Sequence, residues 1–152
     1  MKKDIFIDGE TGTTGLQVHE KLSKHPNINI MSVDQSKRKD ISYKKEMLAK
    51  SDVTFLCLPD EISIETAQIA DELGDKSPII IDASTAHRTN PKWSYGLPEL
   101  GENYRKSLEN SKRIASPGCY STGANVILKP LISKGILSKN IPIVINAVSG
   151  YS

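Results

Sequence analysis

Cys119 is the residue whose surroundings most suggest chemistry. It lies in "SPGCYST", residues 116–122, directly ahead of an apolar stripe at Ala124, Ile127, Leu128, Leu131 and Ile132. That spacing of three, four, seven and eight residues predicts a helix from about Tyr120 to Gly135. The sulfur then sits at a helix amino-terminus, where unpaired N–H groups and the positive dipole end favour a thiolate. Ser121 and Thr122 are expected to solvate the anion, and Gly118 to let a substrate come close. A thiolate so placed can attack an acyl carbon, and the thioester formed can accept a hydride. The bland alternative is a turn cysteine without a task. Cys57 differs: it falls in the apolar run "VTFLCLP", read as a strand buried on both faces, where a cysteine is packing.

Upstream, "GETGTTG" places Gly9, Gly12 and Gly15 at a three-residue spacing between a strand and a helix. Glycines let a backbone turn tightly against a pyrophosphate, and the following helix offers free N–H groups. Thr11, Thr13 and Thr14 can add hydroxyl donors. The spacing departs from the commoner G-x-G-x-x-G, so its context carries the reading, and a plain connecting turn is the alternative. Asp34, at the end of the second strand, could accept a ribose 2′-hydroxyl, as in NAD sites. Ser36, Lys37 and Arg38 just after it suit the 2′-phosphate of NADP, which favours NADP as cofactor. The same basic run can also be only a solvated face.

These groups need a scaffold, and the chain alternates. Strands are expected at residues 4–8, 27–34, 52–59, 78–84 and 113–116, and helices at 13–25, 42–50, 61–74 and 102–110. Gly74 is expected to close the third helix. Residues 84–101 read as a long irregular stretch holding Trp93 and Tyr95. Almost wholly apolar strands between helices predict an α/β fold, a doubly wound, mostly parallel Rossmann-type sheet.

Composition removes other classes. In 152 residues, 20 basic and 18 acidic side chains leave a net charge of +2, with no basic stripe interleaved with aromatics, so nucleic acid is not an expected partner. No apolar run reaches membrane-spanning length, and "MKKDIFIDGE" reads as neither leader nor anchor. The expected compartment is the cytoplasm, where two cysteines stay unpaired. No metal is expected.

The motifs "GETGTTG", "DVTFLCLPD", "IIIDASTAHRT", "YGLPEL", "ASPGCYSTGA" and "INAVSGYS" together resemble N-acetyl-gamma-glutamyl-phosphate reductase, particularly its shorter subfamily, from end to end of the chain. The resemblance implies NADPH-dependent reduction of N-acetyl-L-glutamyl 5-phosphate to the semialdehyde, with release of phosphate, in arginine biosynthesis. It implies that Cys119 is the nucleophile, and a homo-oligomer for the full-length family. Arg88 is the candidate for holding the acyl phosphate, since a guanidinium matches phosphate geometry; pairing with Glu99 is its structural alternative. His87 beside it reads as structural or exposed. Two positions depart from the family pattern: Ser116 stands where Asn is usual, and Ser121 where many members have Pro.

Family members run to about twice this length, as expected for two domains. Residues 1–117 are accordingly expected to form a dinucleotide-binding domain. Residues 118–152 are expected to begin a truncated catalytic domain, with the nucleophile helix and one strand, "IPIVINAV". The family's general acid/base histidine matches nothing in this chain. Weak nucleotide binding and little turnover are therefore expected of the fragment. A related reductase acting on aspartyl phosphate or a carrier-bound aminoadipyl phosphate, and a non-catalytic nucleotide-binding module, are the alternatives.

Overall fold

The computed structural model describes residues 2–138 and 140–148. Eleven elements follow one another: β1 (Lys3–Asp8), α1 (Thr13–Leu22), β2 (Ile28–Ile30), α2 (Ile41–Lys50), β3 (Val53–Leu56), α3 (Asp60–Asp71), β4 (Ile79–Asp82), β5 (Ser94–Tyr95), α4 (Glu102–Glu109), β6 (Arg113–Ala115) and α5 (Cys119–Ser133). The six strands form one sheet in the order β2-β1-β3-β4-β6-β5, and every neighbouring pair is parallel. The chain leaves β1 towards β2, then returns past β1 to β3, so the winding reverses between β1 and β3. With right-handed crossovers, α1 lies on one face of the sheet and α2 and α3 on the other. This is the doubly wound Rossmann-type fold expected from the sequence.

Alternation along each strand sorts the core. Phe6, Leu56 and Ile80 point to the face carrying α2 and α3 and pack with Met47, Leu48, Ile69 and Ala70. Leu48, Leu56 and Ile80 are fully buried, each contributing on the order of 2 kcal/mol by leaving water. Asp40 caps α2, its carboxylate accepting from the backbone N–H groups of Ser42 and Tyr43. The opposite face is covered unevenly. Ile5 and Ile7 are buried beneath α1, whereas Phe55 and Ile81 are half-buried and Ile79 is exposed. The apolar runs of β3 and β4 are therefore covered fully on one face only, which corrects the expectation of burial on both.

Other expectations shift. The first helix stops at Leu22, three residues before His25, and β2 is only three residues long. The stretch read as irregular contains β5, which pairs with β6 at the sheet's edge. Gly74 does adopt a left-handed φ of 57°, but α3 has already ended at Asp71. Residues 141–148 form no strand: none pairs with the sheet, and an extended segment without a ladder partner has nothing to fix it as one. Instead they border α5, with Ile143 to Ala147 lining a shallow groove against Cys119, Ala124, Ile127 and Leu128. No residue of α5 is buried, and Ile127 is 61% exposed, so its apolar stripe is present but largely uncovered.

Candidate active site

In a parallel sheet, ligands gather outside the carboxyl ends of the strands, at the point where the winding reverses. A cleft of about 460 Å³ opens there, bordered by Gly9, Thr11, Gly12, Val33, Arg38, Cys57 and Leu58. Gly9 has a φ of 91°, and a Cβ on it would collide with the Cys57 carbonyl of β3's end. A Cβ on Gly15 would collide with the Gly9 carbonyl. The loop can pass between α1 and β3 only because both side chains are absent. Gly12 caps α1 without a side chain, leaving the first-turn N–H groups to a ligand. Thr11 and Gly12 border the cleft; Thr13 and Thr14 are exposed at the start of α1 and do not.

The basic run divides. Asp34 Oδ1 accepts from the Ser36 backbone N–H at 3.0 Å and from Ser36 Oγ at 2.6 Å, while Lys37 Nζ lies 3.8 Å from Asp34 Oδ2. These contacts hold Asp34's carboxyl below its ordinary value, the Ser36 hydroxyl foremost. Ser36 is bonded to Asp34 and Lys37 lies near it, and neither borders the cleft. A short turn at Gln35–Lys37 follows Asp34, which accepts from the Ser36 backbone N–H. Arg38 does border it, and Lys39 and Gln35 join it. Lys39 belongs to the same basic run and could have been included on charge alone.

The floor of the cleft holds a pair that the strand pattern hid. Lys44 of α2 lies 3.0 Å from Asp8 Oδ2 at the end of β1 and donates to Thr66 Oγ1 at 3.0 Å. Burial raises the Asp8 carboxyl above its ordinary range, and Lys44 opposes that shift. Cys57 is half-buried just beyond β3 and borders this cleft; it does not lie within a buried strand as expected. Burial first, then the Asp8 and Asp82 carboxylates, push its thiol up to about 11.

Cys119 is exposed as the first residue of α5, at the carboxyl end of β6, and α5 too lacks a side-chain cap. Ser121 and Thr122 do not turn to the sulfur. Both hydroxyls donate to the Gly118 carbonyl, at 3.0 and 2.8 Å. Ser121's proton being committed, the Tyr95 hydroxyl donates to Ser121 Oγ at 3.0 Å and ties β5 to the helix start. Arg88, from the loop after β4, reaches the same place. Its Nε donates to the Ser116 carbonyl at 3.0 Å and its Nη2 to the Ala83 carbonyl at 3.2 Å, so the pairing with Glu99 does not occur. Nη1 lies over Gly118, close enough that a Cβ there would sit 2.7 Å away. The structure thus brings Arg88 beside the residues flanking Cys119. His87 is buried, its Nδ1 2.7 Å from Asp82 Oδ2 and its ring stacked on Trp93 at 3.8 Å.

The cleft, Arg88 and Cys119 follow strands β1, β4 and β6 and lie at the same end of one sheet. Residues 4–110 match the model of the family described as "Semialdehyde dehydrogenase, NAD binding domain". The chain belongs to that family. Its match covers the glycine loop, the basic run and Arg88, whereas Cys119 lies beyond it. Along its whole length the chain is similar to curated proteins named N-acetyl-gamma-glutamyl-phosphate reductase, which bears out the resemblance drawn from the motifs. The relative from Nostoc sp., named N-acetyl-gamma-glutamyl-phosphate reductase 2, is 45% identical over 151 residues, 99% of this chain and 46% of that protein. The one from Brucella ovis is 41% identical over 152 residues, all of this chain and 48% of that protein. This NAD-binding domain chain therefore spans about half the length of those relatives.

Solved structures agree on the fold. Aspartate semialdehyde dehydrogenase II from Vibrio cholerae superposes with a TM-score of 0.65 at 19% identity, over 88% of this chain and 43% of that one. The enzyme from Candida albicans, solved with NADP, gives 0.63 at 17% identity, over 88% and 48%. Among the described residues, no cluster of metal-ligating side chains occurs and no helix is long and apolar enough to cross a membrane.

Proposed function

We propose that this chain is the cofactor-binding and nucleophile-bearing part of an NADPH-dependent, cytoplasmic reductase of arginine biosynthesis. Its reaction converts N-acetyl-L-glutamyl 5-phosphate to N-acetyl-L-glutamate 5-semialdehyde and phosphate. In this reading residues 1–117 form the cofactor domain, and residues 118–152 begin the catalytic one. The observation that carries it is a guanidinium nitrogen of Arg88, free of other partners among the described residues, lying over Gly118 beside an exposed thiol.

The glycine cradle fits a dinucleotide, because Gly9 and Gly15 let the loop turn tightly against β3 and α1, and Gly12 leaves the start of α1 open to offer N–H groups to a pyrophosphate. NADP is favoured over NAD by Arg38 and Lys39 at the cleft, and by an Asp34 already occupied with Ser36. Cys119 forms a C–S bond to the acyl carbon while the C–O bond to phosphate breaks, and Arg88 holds the departing dianion. Bound NADPH would supply a hydride to the thioester carbon. The C–S bond then breaks, the aldehyde leaves and the thiolate is restored.

The names of relatives matching the whole chain favour acetylglutamyl phosphate over aspartyl phosphate, for which only the fold speaks. Phosphate release tests the choice. Mixed with N-acetylglutamyl phosphate, the protein is expected to release about one phosphate per Cys119, and fewer from aspartyl phosphate. A burst that survives Cys119→Ser, or one larger with aspartyl phosphate, overturns the assignment.

A further inference from the structure

The loop that delivers Arg88 is fastened more elaborately than a connection requires. Asp82, the last residue of β4, is wholly buried and turns both carboxylate oxygens back into its own loop. Oδ1 accepts from the Ser84 backbone N–H at 3.0 Å, and Oδ2 accepts from Ser84 Oγ at 2.7 Å and meets His87 Nδ1 at 2.7 Å. A carboxylate only accepts, so Nδ1 is the donor and the orientation of the ring is fixed. The other constraint is Trp93, whose ring stacks on the imidazole at an interplanar angle of 11° and packs in turn against the core. From outside, Asp60 at the head of α3 takes both the backbone N–H and the hydroxyl of Thr85.

The next residue along this clamped loop is Arg88. Its side chain spans two carbonyls, Ala83 and Ser116, on separate strand ends, so where the loop places its Cα bears on whether both are reached. We infer that His87 is a positioning residue: its hydrogen bond to Asp82 sets the loop so that the Arg88 guanidinium faces the Gly118–Cys119 peptide. The inference rests on the reading of Arg88 as the group that receives an anion beside the thiol. It adds that the site's anion preference is controlled from a buried imidazole one residue away.

The test is the charge preference of Cys119. Iodoacetate and iodoacetamide alkylate a thiolate alike, with iodide leaving, but only iodoacetate carries a negative charge to the sulfur. The ratio of their rates at low salt, read by mass spectrometry of the Cys119 peptide of the full chain, reports the cation beside it. Arg88→Gln is expected to lower that ratio about threefold or more. His87→Phe, which keeps a ring against Trp93 but loses the bond to Asp82, is expected to lower it similarly while leaving the iodoacetamide rate within about twofold. His87→Asn, whose amide nitrogen takes the place of Nδ1, is expected to keep the parental ratio. Should His87→Phe not fold, His87→Gln gives the same reading, because its amide nitrogen falls where the far ring nitrogen was.

A folded His87→Phe or His87→Gln with the parental ratio, while Arg88→Gln lowers it, overturns the role of His87 alone. So does a His87→Asn protein as impaired as His87→Phe. An unchanged ratio in Arg88→Gln overturns the reading of Arg88, and the positioning role with it.

Discussion

At the scale of single residues, the two free thiols stand in opposite surroundings. Cys119 is exposed at the start of α5. Cys57 is half-buried between two carboxylates, and its pKa of about 11 keeps it a thiol near neutrality. At pH 8, iodoacetamide is therefore expected to label Cys119 and to reach Cys57 only in denaturant; peptide mapping that finds both labelled at similar rates contradicts this. Charge at the cleft makes a second expectation. Replacing Arg38 and Lys39 with alanine should weaken NADPH about tenfold or more, as for loss of a charge-assisted bond, and leave NADH nearly unchanged. Calorimetric titration of each nucleotide reads it, and an equal loss for both would show that the pair does not meet a 2′-phosphate. The type of Arg38 was legible in the sequence, but its separation from Ser36 and Lys37 was not. That separation depends on a local turn in which Asp34 captures the serine.

Between elements, the decisive contact is that of the glycine loop with the strand and helix around it. Gly15 and Gly12 make a matched pair. A methyl group on Gly15 collides with the Gly9 carbonyl, whereas one on Gly12 comes no closer than 3.5 Å to it, an ordinary contact. Gly15→Ala should therefore cost on the order of 3 kcal/mol and lower the thermal midpoint by about 10 °C. Gly12→Ala should change the midpoint by only about 2 °C yet weaken nucleotide binding, because the methyl occupies the ligand's side of the loop. Equal melting temperatures for the two variants would contradict the packing described. Strand–glycine–helix order made this loop readable without coordinates. The edge strand β5 was not readable: two residues, Ser94 and Tyr95, carry no periodicity, and pairing with β6 alone makes them a strand. Residues 141–148 err the other way, with a strand's composition and no partner among the described residues to complete it.

Across the whole molecule, one parallel sheet gathers the cofactor cleft, the Arg88 loop and Cys119 at its carboxyl end. Alternating apolar runs and helices made that architecture legible. How Arg88 is held was not legible, since its partners are backbone carbonyls at Ala83 and Ser116 that no side-chain pattern encodes. His87, the histidine of this loop, bonds to Asp82 through Nδ1 and stacks on Trp93. In the proposed reaction, acylation needs only the Cys119 thiol and the Arg88 guanidinium, and so it can be observed apart from complete turnover. The protein is incubated with N-acetylglutamyl phosphate, quenched in acid and mapped by mass spectrometry. A single N-acetylglutamyl group on the Cys119 peptide, absent from Cys119→Ser and reduced in Arg88→Gln, is the expected result. An unmodified Cys119, or the same group carried equally by Cys57, would contradict it.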